Sequence, residues 1–186
     1  KPEYVKEKRR IFGWKKHEAR SVAGITMGEL NAIERIEATD EYFVKVLAVM
    51  LGLISPKGKG SKRIDWEGAG YGIARERVLE LQFIRAYRYF IEIQNELKGV
   101  AKAWKKLEMP LTPQEANAQV QRKNRGMSTI CLGYCQLVGG AIQPSDVWHL
   151  RWSTVYLAYE AERDKNMAQR KLAQMNKPKP SKSRRR

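Results

Sequence analysis

The chain has 186 residues, 42% hydrophobic and 30% charged, so it is long enough for one domain with a real core and unlike a disordered polyelectrolyte. Its net charge of +16 is unevenly placed. Residues 1–20 carry eight Lys/Arg against three acids, residues 163–186 carry ten against one, and the stretch between is almost neutral. Such a composition excludes a disulfide-dense scaffold, since the two cysteines Cys131 and Cys135 stand only four residues apart. It also excludes a transmembrane helix, because the longest apolar run, residues 46–54, is far below the ~20 residues a bilayer needs.

Residues 1–20 read as a basic arm with Ile11, Phe12 and Trp14 as anchors, a segment expected to dock rather than fold alone. The charged amino end lacks the pattern of a secretory signal. Helical structure is expected from Thr26 onward. Thr26 and Glu29 make an S/T-x-x-E capping box, and Met27, Leu30, Ile33 and Ile36 repeat at helical spacing behind it. Thr39 and Asp40 interrupt this helix and are expected to cap a second, residues 41–53, which is apolar on most sides and therefore buried. Residues 55–72 read as the main loop, rich in Gly and Lys, with a short extended stretch at 64–66.

A long helical pattern covers residues 73–107, and its length predicts a break near Lys98 and Gly99. Thr112, Pro113 and Glu115 form the strongest local helix start, for a polar helix reaching about residue 123. An apolar helix is expected over 127–138, ended by Gly139 and Gly140, then a short turn over 146–150 after Pro144. The last helix is expected from Ser153 to about Met175. The tail 176–186, with KPKPSKSRRR, cannot continue it. The fold class is thus all-α, a compact bundle of five to seven helices over 21–175 between extended basic arms at 1–20 and 176–186.

The residue patterns that carry chemistry are few. Cys131, Cys135 and His149 fall short of the four closed ligands of a structural zinc site, so buried thiols on an apolar helix are expected and no metal. Gly68, Gly70 and Gly72 lack the strand context of a dinucleotide fingerprint, and Gly58-Lys59-Gly60-Ser61 lacks the upstream glycine of a phosphate loop. No cofactor is expected. With two remote histidines no nucleophile–base couple can be assembled, and Glu76, Glu80, Glu92 and Glu96 read as surface ion-pair partners, so the chain is not expected to be an enzyme. Trp148, Trp152, Tyr156 and Tyr159 fall at helical spacing and read as a core stripe rather than a base-stacking platform.

The positive charge suits a polyanion or an acidic protein groove. Lys8, Arg9, Arg10, Lys15 and Lys16 in the arm form one candidate polyanion-binding cluster. Lys57, Lys59, Lys62 and Arg63 in the loop form a second, and Lys177, Lys179, Lys182, Arg184, Arg185 and Arg186 in the tail a third. Contacts of this type attach to DNA or RNA phosphates without reading sequence.

Three stretches together resemble small helical proteins from the structural modules of tailed bacteriophages, tail-assembly-chaperone-like proteins among them. They are ITMGELNAIERI at 25–36 with the helix after it, the central helix ending in KKLEM at 105–109, and PSDVWHLRWSTVYLAYEAER at 144–163. The resemblance implies a non-enzymatic virion component of the neck, tail or packaged interior, present in multiple copies and packed on other virion or assembly proteins, with no membrane contact. The alternatives are an assembly chaperone, or a nucleic-acid-binding component of a ribosome-like particle in the host cytoplasm.

Overall fold

A computed structural model describes residues 4–9, 13–56, 64–108, 117 and 126–175. They form an all-α body preceded by a two-stranded hairpin. Strand β1 (Tyr4–Arg9) pairs antiparallel with β2 (Gly13–Glu18), and a 3-10 turn (Val22–Gly24) leads into the helices. These are α1 (Met27–Glu34), α2 (Tyr42–Met50), α3 (Ala69–Leu79), α4 (Phe83–Lys106), α5 (Met127–Leu137), α6 (Pro144–Val147) and α7 (Trp152–Met175). The expected helix over 112–123 lies outside the described residues, save Asn117, which is helical.

Helix α1 begins where its capping box places it. The Thr26 hydroxyl accepts from the Glu29 N–H at 3.2 Å, and the Glu29 carboxylate accepts from the Thr26 N–H at 2.8 Å. Its two remaining first-turn amides find acceptors far along the chain, Met27 N–H to Leu150 O at 2.8 Å and Gly28 N–H to Trp148 O at 2.9 Å. A helix start buried in the body has no water to satisfy these donors, so the returning segment does so. Further bonds tie the same two stretches together: the Trp152 indole N–H donates to Val22 O at 2.6 Å and Ser153 to Ala23 O at 3.3 Å.

Two hydrophobic clusters fill the body. The larger joins α1, α2, α3 and α4 around Leu30, Leu47, Met50, Tyr89 and Ile93. The smaller joins Met27 to α5, α6 and α7 through Cys131, Tyr134, Val147, Trp148 and Val155. Trp104, Met127 and Trp152 touch both and form the seam between them; of the aromatic stripe expected from the sequence only Trp152 lies there, while Trp148 and Tyr159 belong to the smaller cluster. Helix α2 is buried over most of its length, as its composition requires. Glycines 139 and 140 end α5 with φ of +72° and +76°, a conformation other residues adopt at a penalty.

Four expectations are corrected. The arm over 4–18 is a hairpin, hidden in the sequence because consecutive charges, Lys6, Glu7, Lys8 and Arg9 in one strand and Lys15 and Lys16 in the other, leave no apolar period of two. Residues 69–72 are the first turn of α3 rather than loop. The Asp65 carboxylate accepts from the Glu67 and Gly68 amides, and buried Tyr71 packs edge-on against Trp66 and donates to Glu41 at 2.8 Å, anchors that override the poor helix propensity of Gly70 and Gly72. The long helical pattern breaks at residues 80–82, where Leu81 turns into the core, and α4 runs unbroken through Gly99. Finally, α2 has no side-chain cap from Thr39 or Asp40; Glu41 stands at its N-cap position.

Candidate functional site

Helix α4 lines the larger cluster with its inner face, reaches the smaller through Trp104, and meets solvent along its outer face. Ala86, Tyr89, Ile93 and Val100 face inward. Two polar anchors fix its rotation about its own axis. Glu96 accepts from the Ser21 hydroxyl at 2.8 Å and the Val22 N–H at 2.6 Å, and the Tyr89 hydroxyl donates to Arg20 O at 2.7 Å. Strand β1 lies alongside. Near its C-terminus Trp104 stands edge-on to Tyr156 and Tyr159, and Arg163 donates to Lys106 O at 3.0 Å.

With that rotation fixed, the outward line follows from 100° per residue. Ile84, Tyr87, Ile91, Lys98, Lys102 and Lys105 fall within about 60° of one another, a straight stripe about 32 Å long. Its first half is apolar and uncovered: Ile84 is 63% exposed, Tyr87 49% and Ile91 41%, with Phe83 stacked on Tyr87 at the flank. Its second half is cationic. Lys98, Lys102, Lys105 and the adjacent Lys106 are all exposed, and none has an ion-pair partner among the described residues.

That cationic half is not what helix stability alone would select. Lys98–Lys102 and Lys102–Lys106 are like charges at i,i+4, each unfavourable by about 0.2–0.5 kcal/mol. The helix dipole favours Lys105 and Lys106 in the last turn by about 0.3–1 kcal/mol, yet fades before Lys98 and Lys102, which stand one to two turns further in.

The sequence-predicted cationic residues are distributed as follows. Lys8, Arg9, Lys15 and Lys16 share the hairpin, where the register sets Lys8 opposite Trp14, Arg9 opposite Gly13, Lys15 opposite Glu7 and Lys16 opposite Lys6. Arg10, Lys57, Lys59, Lys62, Arg63, Lys177, Lys179, Lys182, Arg184, Arg185 and Arg186 lie outside the described residues. Sequence reading missed the lysines of α4 altogether. The signal was present, as residues 84, 91, 98 and 105 form an unbroken heptad spacing that changes from Ile to Lys midway.

Elsewhere the polar groups serve the fold. Burial alone would push the Glu29 carboxyl up, but the Arg20 guanidinium at 2.9 and 3.0 Å and the Thr26 N–H hold it below the ordinary carboxylate range. Arg75 and Tyr71 lower Glu41 in the same way at the surface. Cys131 and Cys135 are buried on α5, and His149 is exposed after α6. Among the described residues no helix is long and apolar enough to cross a membrane.

Comparison with protein-family models, curated proteins and solved structures finds no match to this chain.

Proposed function

We propose that this protein is a non-enzymatic structural component that takes its place in a larger assembly by docking a neighbouring protein along α4. The observation that carries the reading is the outward stripe of that helix, apolar and then cationic, with nothing from the described chain laid over it. Exposed apolar side chains at helical spacing bury readily against a partner's helix or groove, and a rigid element tied down at both ends is a good platform for that. The setting we propose is the tailed-phage particle implied by the sequence resemblance, at the neck, in the tail or in the packaged interior. A second reading, contact with nucleic-acid phosphates, is favoured by the charge of the two ends of the sequence, eight Lys/Arg against three acids over 1–20 and ten against one over 163–186.

A photo-crosslinking amino acid in place of Tyr87, in the protein produced in its source cell, tests the first reading. A protein adduct that resists nuclease supports it. An adduct only to nucleic acid, or none at all, overturns it.

A further inference from the structure

We infer that the occupant of the α4 stripe is an amphipathic helix of another protein, acidic in its first turns and apolar in its last, lying antiparallel to α4. The inference rests on the docking role proposed above and names the chemistry of its partner.

The argument is one of complementarity along a line. Ile84, Tyr87 and Ile91 ask for apolar side chains at i, i+3/i+4 and i+7 spacing, and Lys98, Lys102 and Lys105 ask for carboxylates at the same spacing. Both demands lie on one straight face, so a single helix of roughly 22 residues meets them without bending. A carboxylate set opposite Lys98 and Lys102 also offsets the like-charge repulsion between them.

The direction follows from the dipoles. Laid antiparallel, the partner's N-terminus lies over the C-terminal half of α4, and its carboxylates then sit in its own first turns, where the macrodipole favours negative charge. Laid parallel, the same carboxylates would fall in the partner's last turns, which the dipole disfavours. Heptad spacing over 84, 91, 98 and 105 is the spacing of a two-helix seam.

A second copy of this chain is the wrong occupant. It brings a further +16 of net charge, and its own α4 offers lysines where carboxylates are required. A nucleic-acid duplex would match the lysines and leave Ile84, Tyr87 and Ile91 facing water.

The test uses the full chain and two fluorescein-labelled peptides stapled to equal helicity. One has Glu along one face of its first half and Leu along that face of its second; the other has the order reversed. Fluorescence anisotropy is expected to show the acid-first peptide binding at least tenfold more tightly than the acid-last one. Lys98→Glu/Lys102→Glu and Ile84→Asp/Ile91→Asp are each expected to weaken it at least tenfold, with helicity by circular dichroism unchanged because all four residues are exposed. Equal affinity for the two peptides, or none for either, overturns the inference. So does tight binding of a DNA or RNA duplex that Lys98→Glu/Lys102→Glu abolishes while neither peptide binds. Dimerisation in sedimentation that Ile84→Asp/Ile91→Asp abolishes, again with no peptide bound, overturns it in favour of a second copy. In each of these cases a nuclease-resistant protein adduct at position 87 would leave the docking role standing, and loss of that adduct would remove both.

Discussion

Glu29→Gln isolates the charge at the most buried ion pair described. The native carboxylate side chain is 7% exposed and takes both arms of the Arg20 guanidinium, whose side chain is 30% exposed, together with the Thr26 N–H. Removing one partner of a buried pair costs about 3–5 kcal/mol. Here Arg20 reaches solvent and can rehydrate, and the glutamine oxygen still accepts from Thr26, so the expected loss is about 2 kcal/mol. Glu29→Ala forfeits the capping box too, adding about 1 kcal/mol. Because the Glu29 carboxyl is held below its ordinary value, its contribution is fully present above the unfolded carboxylate pKa of about 4.3 and is lost as pH falls through the lower folded value. Urea unfolding of native protein and Glu29→Gln should therefore differ fully at pH 7 and begin to converge as pH falls below about 4.3. A difference under about 0.5 kcal/mol at pH 7, or one that persists unchanged into acid, would refute this account of the pair.

The two seam tryptophans should respond differently to phenylalanine. Trp152→Phe leaves the Val22 carbonyl with only the longer bond from the Ile25 N–H at 3.3 Å and should destabilise by about 1 kcal/mol, whereas Trp104→Phe removes a buried indole N–H that has no partner among the described residues and should cost less in the same melts. Two glycines should part in the same manner. A Cβ at Gly133 would strike the Tyr159 hydroxyl, which donates to Ile130 O at 2.7 Å, so Gly133→Ala should destabilise by about 1–3 kcal/mol by thermal unfolding. At Gly99 a Cβ meets nothing within 4 Å, and Gly99→Ala should stabilise by about 0.5–1 kcal/mol. Lys98→Glu replaces a like-charge i,i+4 pair with a favourable one to Lys102 and should raise stability by roughly 0.5–1 kcal/mol in denaturant melts at low salt; a decrease would mean that Lys98 is not free of partners.

The elements legible in the sequence are those whose causes are local. Thr26 with Glu29, the paired glycines at 139 and 140, and the apolar run of α2 each act within a few residues, and each appears where the pattern puts it. The start of α3 was illegible because Tyr71, Trp66 and Glu41 create it from different parts of the chain. The break before α4 was misplaced because Gly99, the weakest helix former, faces open space and needs no close packing, while Leu81 is drawn inward by contacts that no propensity encodes. On the outer face of α4 the sequence says little, because runs of charge point to the chain ends instead. The lysines of α4 are dispersed in sequence and converge only on the surface of a helix whose rotation Glu96 and Tyr89 set.

The stitching of residues 22–28 to 148–153 has a consequence for how the molecule is made. Partners such as Trp152 and Val22 stand 130 positions apart, so the opening turn of α1 stays without its acceptors until residues 148–150 have emerged from the ribosome. A nascent chain halted before α6 would keep a frayed first helix and an open seam at Trp104. Arrival of residues 148–153, rather than emergence of the N-terminal half, is what closes the body and fixes the frame that holds α4.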